Sequence, residues 1–108
     1  MIITDITGSV IDTMVRQIGR MTILGVSGGR IRRIDETTIS LPIGRGYSVE
    51  VTYDRGFDGY SVRRVFTRGP KRWVKGEVDH VYFDTLSDTV YDASCFVNVA
   101  FGDHDPRV

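Results

Sequence analysis

Short alternating segments separated by glycine-containing turns constrain the fold of this chain more than any other feature. The clearest segment is Tyr47–Asp54, where every second residue is apolar or aromatic. A period of two places these residues on one face of a β-strand. Thr38–Ile43 also alternates, and Gly44-Arg45-Gly46 connects the two segments. Two strands joined by a short turn predict an antiparallel hairpin.

Further segments extend this sheet. Tyr60–Arg68, the turn Gly69-Pro70 and Lys71–Lys75 predict a second hairpin. Met21–Val26 is a short apolar run that we interpret as a strand, with Arg30–Ile34 pairing back on it. Within Tyr60–Arg68 the alternation fails after Val62. Either a β-bulge at Arg63-Arg64 restores it, or both faces of this strand are partly covered.

Two amphipathic segments flank the strands. The first has an apolar stripe at Val10, Ile11, Met14, Val15 and Ile18, can be capped by Asp5, Thr7 or Ser9, and ends at Gly19. The second is predicted over Asp79–Ser94, with Asp79 as its N-cap. Its apolar arc comprises Tyr82, Phe83, Leu86, Val90 and Ala93, and its opposite side carries Asp84, Asp88 and Asp92.

These elements predict an α+β fold. An N-terminal helix, an antiparallel sheet of about four to six strands and a C-terminal helix form one domain over residues 1–108, with the helices packed on one face of the sheet. Phe96–Phe101 adds an edge strand or packs loosely, and residues 102–108 are expected to form a flexible tail.

Composition excludes several classes of protein. No apolar run approaches the roughly 18 residues that a bilayer-spanning helix needs, and the N-terminus lacks a secretory pattern. Cys95 is the sole cysteine, so we expect no internal disulfide and a cytoplasmic location. His80 and Asp84 lie one helical turn apart, but two ligands are too few for a zinc site. No motif places Cys95 beside His80 in a catalytic triad, so no catalytic residue, metal or cofactor is predicted.

Charge is segregated along the chain although the formal net charge is zero. Residues 55–76 contain seven basic residues and one acid, whereas residues 77–108 contain seven acids and one arginine. We call residues 55–76 the basic hairpin. Its cations are interleaved with Phe57, Tyr60, Phe66 and Trp73, a combination that binds phosphates and stacks on bases in nucleic-acid-binding proteins. The alternative is a solvated sheet face whose cations prevent edge-to-edge pairing.

The predicted partner-binding residues are on this hairpin: Arg63, Arg64, Arg68, Arg72 and Trp73. The acidic row on the second helix has four interpretations. It is a solubilising helix face, a docking surface for a basic partner, a row that imitates the phosphates of nucleic acid, or the complement of the basic hairpin in a homo-oligomer. Val81 and Tyr91 are candidate apolar anchors beside the row.

Several segments, taken in order, resemble a family of small uncharacterised proteins from bacteriophages and bacterial mobile elements. The matching segments are Arg16-Gln17-Ile18-Gly19, Val49-Glu50-Val51-Thr52, Asp58-Gly59-Tyr60-Ser61-Val62, Arg68-Gly69 and Val81-Tyr82-Phe83-Asp84-Thr85-Leu86. The resemblance covers roughly residues 10 to 94. It implies a phage or mobile-element origin and the order helix, sheet, helix, and it assigns no chemistry.

Together these observations predict a small non-enzymatic phage accessory protein that acts in the cytoplasm of an infected bacterium. It is expected to bind a macromolecular partner, with a bacterial host protein as the first hypothesis. The alternative is a nucleic-acid-binding module that uses the basic hairpin.

Overall fold

The computed structural model describes residues 10–95, which form three helices and a five-stranded antiparallel sheet. In chain order these are α1 (Val10–Ile18), α2 (Arg20–Ser27), β1 (Arg32–Arg33), β2 (Thr38–Gly44), β3 (Tyr47–Asp54), β4 (Gly59–Arg68), β5 (Lys71–Val81) and α3 (Phe83–Ala93). Each strand pairs with the next in the sequence. The predicted α+β class is confirmed. The expectations for the cap at residues 5–9, for Phe96–Phe101 and for the tail 102–108 lie outside the described residues.

The core lies between one face of the sheet and the three helices. In the register, Val51 of β3 lies opposite Ile39 of β2 on one side and Val62 of β4 on the other. These three side chains are completely buried, as are Leu86 and Val90 of α3. Burying an aliphatic side chain of this size stabilises the fold by roughly 1.5–3 kcal/mol. The alternation seen in the sequence therefore defines the face on which the helices pack.

The prediction of a strand at Met21–Val26 is wrong, because this segment belongs to α2. Ile23 and Val26 are spaced at i and i+3 and are buried, whereas Met21 and Leu24 are 77% and 54% exposed. A short apolar run does not distinguish a strand from a buried helix turn by periodicity alone. As a consequence, Arg32–Arg33 pairs with β2 and not with residues 21–26.

The second predicted helix begins four residues later than expected. Val81 belongs to β5, where it pairs with Tyr60 and is 4% exposed, and α3 starts at Phe83. Asp79 is therefore a strand residue and not an N-cap. Tyr82 and Phe83 are 44% and 68% exposed, so they do not belong to the buried side of the helix.

The apolar pattern of β4 is interrupted near Arg64, next to an irregularity in the neighbouring strand β5. β4 alternates regularly against β3, but Arg64 lies opposite Gly76 and Val65 lies opposite Val74, which leaves Lys75 as an extra residue in β5. The bulge is thus in β5 and not at Arg63-Arg64. Arg64 and Val65 are on opposite faces and both are 0% exposed. The alternative prediction, that both faces of β4 are partly covered, is confirmed.

Candidate functional site

The five residues predicted to bind a partner occupy three different environments. Arg63 and Arg72 lie on the outer face of the sheet, opposite the helices. Arg64 points into the core. Arg68 and Trp73 lie on the helix side of the sheet, close to the turn that joins β4 to β5. The basic hairpin is therefore not one contiguous cationic surface.

Arg63 and Arg72 are held by carboxylates on the outer face. Arg63 Nε lies 3.2 Å from Glu50 Oε1, and its Nη1 lies 3.2 Å from Glu77 Oε2. Arg72 Nη2 lies 2.5 Å from Glu50 Oε1. The Arg63 and Glu50 side chains are 15% and 12% exposed, and Arg63 also donates a hydrogen bond to the Thr52 hydroxyl. This arrangement neutralises both arginines within the protein and leaves little of Arg63 for a partner.

Arg64 is a structural residue, which contradicts its predicted place on the binding surface. Its side chain is 0% exposed, Nε donates to the Ala93 carbonyl at 2.8 Å and Nη2 donates to the Cys95 carbonyl at 2.5 Å. The last carbonyls of a helix lack partners within the helix and carry partial negative charge. The Arg64 guanidinium donates hydrogen bonds to these carbonyls, and its positive charge complements their partial negative charge. Arg64 therefore attaches the end of α3 to the centre of the sheet.

Three cations cluster at the end of the sheet that lies beyond α3. The turn between β2 and β3 adjoins the end of β4, where the Thr67 N–H donates to the Gly46 carbonyl at 2.9 Å. This places the turn that carries Arg45 next to the end of β4, where Arg68 pairs with Lys71 across the β4–β5 turn. All three are exposed, and none of them has an ion pair among residues 10–95. We call Arg45, Arg68, Lys71 and Trp73 the basic tip.

An aromatic row crosses the sheet at the basic tip. Tyr47, Phe66 and Trp73 are neighbours in the register of β3, β4 and β5. The Phe66 ring centroid lies 4.9 Å from that of Tyr47 and 5.6 Å from that of Trp73, with the Phe66 and Trp73 planes inclined by 29°. Tyr47 is 4% exposed and Trp73 is 42% exposed. The row therefore anchors one accessible indole ring in a fixed orientation beside the cations.

The acidic row on α3 is separate from these cations. Asp84, Asp88 and Asp92 are all exposed, whereas Leu86, Val90 and Ala93 on the other side of α3 are buried. In the described part of the chain none of the three aspartates forms an ion pair with the basic hairpin. The prediction that this row faces solvent is confirmed. Of the candidate anchors beside it, Tyr91 is 54% exposed and Val81 is buried.

The opposite end of the sheet contains a cavity that sequence reasoning missed. It measures about 240 Å³ and is lined by Val10, Thr13, Gln17, Tyr53, Asp58, Tyr60 and Phe83. The Tyr53 hydroxyl donates to Asp58 Oδ1 and the Tyr60 hydroxyl donates to Gln17 Oε1, both at 2.5 Å. We call Tyr53, Asp58, Tyr60 and Phe83 the acidic-aromatic pocket. A signal was present in the sequence, since Asp58-Gly59 is a turn pair flanked by aromatic residues.

Both tyrosines of this pocket hold their protons more tightly than usual. The hydrogen bond to Asp58 is the main cause that raises the pKa of Tyr53, with its burial and the negative charge of Asp58 as further causes. Burial is the main cause that raises the pKa of Tyr60. The two hydroxyls therefore remain neutral donors at physiological pH, and the charge of this pocket comes from Asp58.

The residues considered for metal binding or catalysis are not brought together. His80 Nδ1 lies 3.2 Å from Asp79 Oδ1, and its ring stacks on Phe57 at 4.1 Å between centroids. Within residues 10–95 no group of three or more His, Cys, Asp or Glu side chains is arranged to hold a metal ion. His80 precedes α3 and Cys95 follows it, so about 16 Å of helix separates them.

Comparison with known proteins provides no further assignment. No family model, no curated protein and no solved structure matches this chain. In the described part of the chain, no helix has both the length and the apolar composition that crossing a membrane requires. The function must therefore be inferred from the surfaces of the protein itself.

Proposed function

We propose that this protein is a non-enzymatic accessory protein of a bacteriophage or bacterial mobile element, and that it binds single-stranded nucleic acid through the basic tip. The observation that supports this proposal most strongly is the position of Trp73. A partly exposed indole lies beside three exposed cations that have no carboxylate partner among residues 10–95. The phage origin comes from the sequence resemblance.

The electrostatic contribution comes from Arg45, Arg68 and Lys71. Cations that already form ion pairs, such as Arg63 and Arg72, would have to break those pairs to bind a phosphate. Cations at the tip have no such competing contact in the described residues. Binding phosphates releases counterions, so the affinity falls as salt is added. For three phosphate contacts on a single strand, log K against log[salt] is expected to have a slope of about −2.

The stacking contribution comes from Trp73. A base that stacks on an aromatic ring typically contributes about 1–3 kcal/mol, and any base can do so. Phe66 stacks on the indole from the neighbouring strand, with the two ring planes inclined by 29°. Bases in a duplex are already stacked on each other and their faces are not accessible. The tip is therefore expected to prefer a single strand.

The test is fluorescence anisotropy with a labelled single-stranded oligonucleotide at several salt concentrations. We expect the Arg68→Glu/Lys71→Glu variant to bind at least ten-fold more weakly than the wild type. Arg55→Glu is the matched control, because Arg55 is an exposed cation that lies in the β3–β4 turn, away from the tip. It should bind like the wild type. Absence of binding to any single strand at low salt would refute the proposal.

A bacterial host protein is the second candidate partner, and a separate observation favours it. Met21, Leu24 and Ile34 are apolar side chains that are 77%, 54% and 52% exposed. Apolar anchors contribute to protein interfaces and would have no role in phosphate binding. If this candidate is right, capture of a host protein should survive Arg68→Glu/Lys71→Glu and be lost in Leu24→Glu.

A further inference from the structure

We propose that the acidic-aromatic pocket binds the side chain of an arginine or lysine supplied by another protein chain. The site lies at the opposite end of β3 and β4 from the basic tip. It is therefore spatially separate from the proposed nucleic-acid interface of the same chain.

Aromatic residues form much of the wall of the pocket. Tyr53, Tyr60 and Phe83 contribute aromatic rings, with the Tyr53 and Tyr60 centroids 5.5 Å apart and their planes inclined by 61°. Phe83 is 68% exposed although it is the first residue of a helix whose other apolar residues are mainly buried. Aromatic faces around a cavity attract organic cations through the quadrupole of each ring.

The carboxylate of Asp58 supplies an acceptor for a cation at the pocket. Its Oδ1 accepts the hydrogen bond from Tyr53, and no donor within residues 10–95 contacts Oδ2. Asp58 has a backbone φ of 53°, in the left-handed region, which is uncommon for a residue with a side chain. Asp58 lines the pocket and is exposed, so one carboxylate oxygen is bonded to the Tyr53 hydroxyl and the other is accessible to a ligand. A guanidinium or ammonium group is the complement of this arrangement.

Acidic residues outnumber basic ones around the pocket. Asp54 is next to Asp58 through the pairing of Asp54 with Gly59, and Asp84 follows Phe83 in the chain. Arg55 in the same turn is the opposing cation. The excess of acids at this end favours a positively charged ligand and disfavours phosphates or carboxylates.

The cation has two possible sources with the same chemistry. One is a second copy of this chain, whose basic tip carries the exposed side chains Arg68 and Lys71. The other is an arginine or lysine of an unrelated protein. A contact between the tip of one copy and the pocket of the next would be head-to-tail, which leads to rings or open filaments.

The binding test is a titration with Nα-acetyl-arginine amide, followed by amide chemical shifts in two-dimensional NMR spectra. We expect shifts at Gln17, Asp58 and Gly59, and at least a five-fold weaker affinity for Asp58→Asn. The matched ligand control is Nα-acetyl-citrulline amide, which has a similar shape without the charge and should produce much smaller shifts. Equal shifts with both ligands, or unchanged affinity in Asp58→Asn, would overturn the proposal.

Sedimentation velocity then identifies the source of the cation. Association that rises with protein concentration, and is lost in both Asp58→Asn and Arg68→Glu/Lys71→Glu, supports the proposal with a second copy as the source. A wild-type monomer that binds arginine amide supports it with a foreign chain as the source. Association that persists in Asp58→Asn contradicts a role for the pocket in contacts between copies.

Discussion

Arg64 and Arg68 lie on the same strand and on the same side of the sheet, yet they have opposite roles. Arg64 lies beneath the end of α3, is fully buried and donates to the carbonyls of Ala93, the last helix residue, and of Cys95 just beyond it. Arg68 lies four residues further along β4, where it is exposed and has no ion pair in the described residues. The extent of the helix layer therefore decides which arginine stabilises the fold and which is available to a partner.

The largest effect is expected from replacing Arg64, which tests its structural role at the end of α3. Arg64→Met removes the donors to the Ala93 and Cys95 carbonyls and keeps much of the apolar volume. An unsatisfied buried acceptor is unfavourable by about 1–3 kcal/mol, so we expect the free energy of unfolding to fall by about 3 kcal/mol. Urea denaturation measures this change. Arg68→Met is the matched control and should stay within about 0.5 kcal/mol of the wild type. Similar losses of unfolding free energy in both variants would contradict the different roles assigned to Arg64 and Arg68.

The next prediction concerns the backbone that positions the basic tip. A Cβ atom at Gly46 would lie 2.7 Å from the Thr67 carbonyl oxygen, and Gly46 has a φ of 86°. We expect Gly46→Ala to reduce stability by about 2 kcal/mol, through both the clash and the unfavourable φ. Gly44→Ala shares the positive φ but has nothing within 4 Å of the added Cβ. It should have a smaller effect in the same urea experiment, and an equal effect would exclude the clash as the cause.

A smaller effect is expected on the outer face of the sheet. Glu50→Gln removes the carboxylate that Arg63 and Arg72 share. Hydrogen bonds to a charged group stabilise a protein more than neutral ones do. Because the Arg72 side chain is 48% exposed, solvent weakens its ion pair. We therefore expect the free energy of unfolding to fall by about 1 kcal/mol. Added salt should reduce the difference between variant and wild type. A loss that does not change with salt would indicate a packing effect in place of an electrostatic one.

The smallest expected effect is a change in the pKa of Tyr53 at the acidic-aromatic pocket, which lies at the opposite end of β4 from Arg68. The hydrogen bond to Asp58 raises the pKa of Tyr53 above its ordinary value of 10.0. Because the folded chain holds this proton more tightly than the unfolded chain, the contact stabilises the fold below pH 10, and the contribution is lost as pH rises through the raised pKa. Asp58→Asn should lower the pKa of Tyr53, followed by tyrosinate absorbance. An unchanged titration would show that the hydrogen bond does not persist in solution.

Sequence patterns were sufficient where a residue's environment depends on its own segment. The bounds predicted for the strand Tyr47–Asp54 agree with the structure because its alternation extends over the whole strand. The prediction of a strand at Met21–Val26 was wrong because six residues are too few to separate a period of two from a period of 3.6. The predicted start of the last helix was wrong because Val81 pairs with Tyr60, so residues expected in the helix belong to β5.

The candidate site was harder to predict than the fold. Arg63, Arg64, Arg68 and Arg72 look alike in the sequence, and each is a cation in a strand of the same hairpin. Their environments differ because carboxylates of β3 and β5 reach Arg63, and carbonyls of α3 reach Arg64. These contacts join residues 13 to 31 positions apart in the chain. No local pattern contains that information.

The sequence by itself determined the α+β class, the β3 strand and the solvent exposure of the acidic row on α3, since each follows from a periodicity within one segment. Tertiary structure alone decided which cations of the basic hairpin are held by internal contacts and which remain exposed. The physical reason is that a charge is neutralised by whatever lies within a few ångströms of it, and those neighbours come from distant segments that meet only when the sheet and helices pack together.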